Sequence, residues 1–316
     1  MARILITGGA GFIGSNLANS LYRDGHEITI FDNYYYGKEQ QCRNLNENLR
    51  HSVFKIDVRN GTHKIEMELQ HNRPDVIFHL AALSSAPMCT QSPIDCMDVN
   101  VGGFQTILEA ARYYKIKRVV YASTSSMYNG KQIPWNENMC IQPKTHYEVS
   151  FHNRESMAFG YYHEEGVESV GLRFFSVYGP NEKHKGKYAN NITQFLWDMN
   201  MDKSPMLYGD GKQMRDFVYV DDVVNALKIS AFSDHELLKC NIINIGTGLN
   251  YSFNEIIHTL NGYLGKDIKA EYRSNSLKNY VRNTKADISK AKHLLKWEPK
   301  VSLSDGINKL IKFYAN

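Results

Sequence analysis

The feature that most constrains this chain stands at its start. The run Arg3-Ile4-Leu5-Ile6-Thr7 leads directly into Gly8-Gly9-Ala10-Gly11-Phe12-Ile13-Gly14-Ser15, after which a helical pattern begins. Glycines three apart between a strand and a helix answer three steric demands. Gly8 permits a tight turn, Gly11 lets backbone approach a bound pyrophosphate, and Gly14 lets the helix pack on the strand. The free N–H groups of the helix N-terminus then face the anion, together with the backbone of Phe12 and Ile13. A glycine turn without a ligand is the other reading of such a motif. Asp32 decides against it, because it closes the second apolar run, where a carboxylate accepts from an adenosine ribose. Its charge also repels a 2′-phosphate, so NAD is expected rather than NADP; Lys38, close by in sequence, pulls the other way. Asn33 follows Asp32 into the same region. Asp57 and Val58, after the third apolar run, are placed at the adenine edge, although Asp57 reads equally well as a turn-forming aspartate.

The first half continues to alternate short apolar runs with helical periodicity, the pattern of an α/β fold with a doubly wound parallel sheet. Strands are expected at Arg3–Thr7, Glu27–Asp32, Ser52–Lys55, Val76–Leu80, Arg118–Ser123 and Ser169–Phe174, with helices at Ile13–Asp24 and Gly102–Tyr114. Beyond Phe175 the pattern loosens into segments rich in glycine, proline, asparagine and lysine, such as Tyr178-Gly179-Pro180-Asn181. This divides the chain into a Rossmann domain over residues 1–175, to which 216–245 return, and a smaller lobe from 176–215 and 246–316.

At 316 residues, the chain is long enough for two lobes. A net charge of +4, not gathered in any block, argues against a nucleic-acid footprint but suits an anionic small ligand. The five cysteines are odd in number and contain no C-x-x-C pair. That argues against a disulfide framework or a metal site and fits a reducing cytoplasm. With no apolar run of membrane-spanning length, no membrane partner is expected.

Thr7–Gly14, His79-Leu80-Ala81-Ala82, Asn100, Tyr121–Tyr128, Tyr147 with Ser150 and Glu155, Arg173–Pro180 and Arg215–Asp222 occur in an order and spacing that resembles the extended short-chain dehydrogenase/reductase family. Within it the chain looks like the nucleotide-sugar 4-epimerases of the UDP-glucose/UDP-galactose type. The likeness extends through Asn244–Gly248 to Trp297-Glu298-Pro299. It implies a Rossmann fold with a smaller C-terminal substrate lobe, NAD as cofactor, a UDP-hexose as substrate and a homodimer. It assigns Leu80, Ala81, Ala82, Asn100 and Ser123 to the cofactor, and Tyr147 as the base that takes a proton from a sugar hydroxyl, with Thr124 bonded to the same oxygen. Ser125, Ser176, Asn191, Arg215 and, more weakly, Arg282 would meet the substrate; Ser176 replaces an asparagine of the family pattern. Dehydratases of the family carry Asp-Glu after the threonine, and its decarboxylases a glutamate two positions on. Here Ser125-Ser126 supply neither, which favours epimerisation. A stretch around Lys185 resembles the loop of ADP-heptose 6-epimerases, where this lysine would be a second acid/base, or else a solvated basic loop.

One position departs from the pattern. The family's lysine four residues after the tyrosine is Phe151 here. A phenyl ring cannot lower the phenol pKa, and His152, one position on, points away. Slow, alkaline-favoured turnover is therefore expected, unless Lys185 compensates; a cofactor-binding protein with little turnover is the contrasting reading. Aromatic residues on the helices carrying Tyr113-Tyr114 and Phe159, Tyr161 and Tyr162 supply candidate dimer surfaces or core filling.

Overall fold

The structure, a computed structural model, describes residues 1–37, 51–59, 62–274 and 279–315. Lys38 lies outside the described residues. Seven strands form one parallel sheet: β1 (Arg3–Thr7), β2 (Glu27–Asp32), β3 (His51–Lys55), β4 (Val76–His79), β5 (Arg118–Thr124), β6 (Ser169–Phe174) and, after several short strands, Cys240–Ile245 at its edge. The spatial order is β3-β2-β1-β4-β5-β6 followed by that edge strand. The order reverses between β1 and β4, and in open α/β sheets ligands bind outside the carboxyl ends of the strands at such a switch point. The expected strands match to within a residue at each end. Their apolar content follows from burial on both faces: β4 and β6 are buried at every position.

Helix α1 (Phe12–Arg23) covers β1 through Phe12, Leu17, Ala18 and Leu21. Helix α2 (Thr62–His71) precedes β4. The expected helix Gly102–Tyr114 is present at Gly103–Tyr114, and a broken stretch leads into it. Two short helices, α3 (Ala86–Gln91) and α4 (Pro93–Met97), run through a wide turn at Asp98–Gly102 into α5 (Gly103–Tyr114). Helix α6 (His146–Glu165) opens on a capping box in which Thr145 and Glu148 satisfy each other's backbone N–H groups, and it stops at Gly166 in the left-handed conformation. Apart from that edge strand, the described chain after Phe175 pairs in two-residue and three-residue strands, among them Ser176–Tyr178 with Phe217–Tyr219. One apolar core joins these segments to the sheet, with Tyr178, Phe195, Leu227, Trp297 and Leu310 all buried beside Ile4, Val120 and Leu172.

The cysteine expectation needs correction. Cys89 on α3 and Cys96 on α4 form a disulfide, their Cα atoms 5.0 Å apart. The two short helices fold against one another and bring them together, which a spacing of seven residues does not announce. Cysteine usage therefore no longer argues for a reducing compartment. No helix among the described residues is long and apolar enough to cross a membrane.

Between β5, β6 and α6 lies a buried ion pair. Glu155 accepts from Arg173 at 2.8 Å and 2.6 Å and from Ser123 at 2.6 Å, while Arg173 also donates to the Tyr128 hydroxyl. Removing one partner strands the other charge. Glu155→Ala should lower the unfolding free energy by about 3–5 kcal/mol in denaturant titration; a loss below about 1 kcal/mol would mean that water reaches the guanidinium.

Candidate active site

The glycine turn is built from backbone contacts too close for side chains. Gly8 has φ +71°, and a Cβ there would lie 2.7 Å from the Ala81 nitrogen. A Cβ at Gly14 would lie 2.2 Å from the Gly8 carbonyl oxygen. Gly11 occupies the N-cap of α1 without a side-chain cap, and no acidic residue stands in the first turn. The leading N–H groups are thus left for an anion, as a dinucleotide pyrophosphate requires. Asp32 accepts from the Ala10 nitrogen at 3.0 Å and from the Tyr34 nitrogen at 2.8 Å, fixing the turn against β2. Burial raises its pKa, and those two N–H donors oppose the shift.

From this turn a cleft of about 1300 Å³ runs across the carboxyl ends of the strands. It is lined by Gly8, Gly11, Phe12, Ile13, Asp32, Asn33, Asp57, Val58, Leu80, Ala81 and Ala82, and by Ser123, Thr124, Ser125, Tyr147, Ser176, Lys185 and Arg215. Most of the expected residues therefore converge. Asp57 also serves the turn it caps: it accepts from the Arg59 side chain and backbone and from Asn33. The hydrogen bond from Arg59 leads the effects that hold its pKa down at about 2.

Three expected residues are placed elsewhere. Asn100 is fully buried behind the wall, bonded through its amide to Leu83 and Ser150. Asn191 is the first residue of the helix Asn191–Asn200 and does not line the cleft; its neighbour Asn190, the N-cap, does. Arg282 sends its guanidinium outward to within 3.8 Å of Asp210, 71% exposed, and only its carbonyl meets Arg215. A register one residue off at Asn191 and a strand-edge turn at Arg282 account for these shifts.

Tyr147 is the second residue of α6, and it lines the cleft together with Thr124. Burial pushes the phenol pKa up; the Thr124 hydroxyl and the nearby Arg154 charge draw it back, and Glu148 adds to the rise. Glu148 is itself occupied by the Lys144 and Thr145 nitrogens. Phe151 is buried with its ring 4.9 Å from that of Tyr147. Lys185 lies 3.4 Å from the buried Glu182 and over the Phe12 ring at 5.2 Å, against the glycine turn. Arg215 lines the cleft, stands over Phe253 and Tyr280, and donates to the Met214 and Arg282 carbonyls. Sequence reading missed Arg154, Tyr36 and Tyr188. For Arg154 a signal existed, since residues 147, 151 and 154 fall on one helical face.

The model of the "NAD dependent epimerase/dehydratase family" matches residues 4–246. A UDP-N-acetyl-alpha-D-glucosaminuronate decarboxylase from Bacillus cytotoxicus is 33% identical over 99% of this chain and 97% of its own length. A UDP-glucuronate 4-epimerase from Thermodesulfobacterium geofontis is also 33% identical, over 99% and 96%. Among solved structures, UDP-glucuronic acid 4-epimerase from Bacillus cereus, in complex with UDP-glucuronic acid and NAD, superposes with a TM-score of 0.90 at 29% identity, covering 99% of each chain.

If Asp32 reads the adenosine ribose, Asp32→Ser should narrow the preference for NAD over NADP by at least about tenfold, as a charged hydrogen-bond partner is worth. Calorimetric titration of both dinucleotides measures it; an unchanged ratio would assign the preference to other residues.

Proposed function

The chain belongs to the NAD dependent epimerase/dehydratase family, and from that premise we propose that it inverts C4 of a UDP-linked hexose through a transient 4-keto sugar. The observation that carries this reading is the meeting of Tyr147 and Thr124 in the same cleft as the glycine turn and Arg215. NAD, when bound, supplies the acceptor and then the donor of one hydride. Gly8, Gly11, Phe12 and Ile13 would hold its pyrophosphate, and Asp32 its adenosine ribose. The ionised phenol of Tyr147 takes the proton of the C4 hydroxyl and returns it after the sugar turns over. Thr124 orients that oxygen, and Ser125 and Ser176 offer hydroxyls to the ring. Arg215 meets the diphosphate, for which a planar bidentate donor is suited.

Dehydration and decarboxylation fit less well. Among the described residues lining the cleft, the carboxylates are Asp32, Asp57, Asp95 and Glu148. The first belongs to the turn, Asp57 and Asp95 pair with Arg59, and Glu148 is spent on its helix cap. Next to Thr124 there are only Ser125 and Ser126. The second reading, a 6-epimerase of an ADP-linked heptose, draws on Lys185 lining the same cleft; its ion pair with Glu182 and its seat over Phe12 fit a contact beside the cofactor phosphates better than a second base. Residues 176–215 and 246–316 are read as the lobe that closes over the sugar nucleotide. The exposed Tyr113 and Phe159 supply apolar surface for a homodimer, which sedimentation at micromolar concentration would resolve.

Incubating the protein with NAD and a panel of UDP-sugars and following the anomeric and H4 resonances by NMR tests the reading. At least one C4 epimer pair should equilibrate, and Tyr147→Phe should slow it by at least about a hundredfold. Arg215→Ala should weaken UDP binding by at least about tenfold. Conversion of none of the panel points to a binding protein, and tight ADP binding with no UDP binding points to the heptose reading.

A further inference from the structure

A base that must ionise inside a wall needs a positive charge nearby, and the position where the family resemblance leads one to expect it holds a phenyl ring. The structure places a different cation behind that ring. Arg154 is fully buried. Its hydrogen bonds run to the Asn100 carbonyl at 2.5 Å, to the Ala81 carbonyl at 2.8 Å, and more loosely to the Ala122 carbonyl and the Asn100 side-chain oxygen, both at 3.5 Å. None of these partners is a carboxylate. Its guanidinium stacks on the Phe151 ring at 4.7 Å, and that ring in turn meets the Tyr147 ring. A buried charge without a counter-charge is costly and is neutralised or paired unless something near it draws on its field. Spacing explains the alignment, since residues 147, 151 and 154 follow one another down a single helical face.

We propose that Arg154 is the cation that favours the ionised form of Tyr147 in this chain, a positioning residue that acts through the Phe151 ring without touching the substrate. This rests on the reading of Tyr147 as the base. The medium between them is dry and apolar, so the charge is poorly screened. The other groups facing the pair do not supply the charge. On the helix itself Glu148 opposes ionisation, and His152 stands roughly 100° around the helix from Phe151. Thr124 on β5 is a neutral hydroxyl, and Tyr36 and Tyr188 pack nearby across the disulfide cluster. Facing Arg154, His79 on β4 is held neutral by burial and by Arg154 itself, with its Nδ1 engaged by Thr7. Tyr121 on β5 is neutral, and Glu155 is paired to Arg173. Burial lowers the Arg154 pKa to about 9, which leaves it charged at neutral pH. The same three carbonyls make it a clamp between the β4 loop, the turn before α5 and β5, so a purely structural role is the rival account.

The two accounts separate in the titration of the phenol itself. Protein carrying Cζ-labelled tyrosine is titrated by NMR, with Tyr147→Phe assigning the resonance, alongside the pH profile of kcat and KM. Arg154→Gln keeps donors for the carbonyls and removes the charge. It should raise the Tyr147 midpoint by at least about one unit and move the rising limb of kcat by the same amount, with at least about a tenfold loss at neutral pH; KM for the UDP-sugar should change less than about threefold. Adding Phe151→Lys to Arg154→Gln should recover at least half the shift. An unmoved midpoint in a folded Arg154→Gln overturns the proposal. If Arg154→Gln does not fold, the double variant Phe151→Lys/Arg154→Met decides: folded, with a midpoint at or below that of the parent, it supports the proposal, whereas a raised midpoint or failure to fold assigns Arg154 a structural role only. A parent protein that converts no sugar nucleotide would defeat the reading of Tyr147 as base and leave the NMR titration to decide on Arg154.

Discussion

Everything at the carboxyl edge of the sheet depends on a contact between bare backbones. Gly8 and Gly14 approach each other and the Leu80–Ala81 peptide more closely than any side chain allows. That approach brings the end of β1, the start of α1 and the loop after β4 to one point. Around it, Thr7 hydrogen-bonds the buried His79 and accepts from the Ala81 nitrogen, and Asp32 grips the turn from β2. The result is a rigid floor with uncapped helix donors on one side and the cleft opening above the strand-order reversal. Binding and chemistry share this floor, which is why the glycine turn constrains both.

The opposite wall is organised by helix α6. Its capping box fixes the first turn, so Tyr147 emerges beside Thr124 at the end of β5. Ser150, one turn on, reaches Asn100, and Arg154 fastens the same helix to the Asn100, Ala81 and Ala122 carbonyls. Glu155, Ser123 and Arg173 complete a polar layer beneath the reactive surface. Each of these groups is bonded, as buried polar groups must be to avoid a desolvation penalty. The wall is therefore held by a network, and the reacting hydroxyls project from it into the cleft.

What could be read from sequence was local. The glycine turn, Asp32, the strands and the convergence of Thr124 with Tyr147 depend on short-range pattern or on a resemblance covering most of the chain, and the structure brings them together. Asn100 was expected at the cofactor because its motif runs beside cofactor-binding residues; in three dimensions its amide is spent on holding Leu83 and Ser150. Asn191 and Arg282 sit on a helix start and an irregular edge, where one residue of register decides which side chain faces inward. The Cys89–Cys96 pairing depends on how two short helices fold back on one another, which periodicity does not encode. Arg154 is the most telling omission. A charged residue in an amphipathic helix is ordinarily assigned to solvent; its place on the helical face of residues 147 and 151 was the one signal against that, and the packing of three carbonyls around it shows that it lies inside.

In the proposed epimerisation one hydride leaves C4 of the sugar and comes back to the same carbon. A UDP-hexose deuterated at C4, followed by NMR in ordinary water through epimerisation, tests this most directly. The product should carry the deuterium at C4, with no exchange into solvent and no loss of carbon dioxide. Washout of the label, or a product shortened by one carbon, would contradict it.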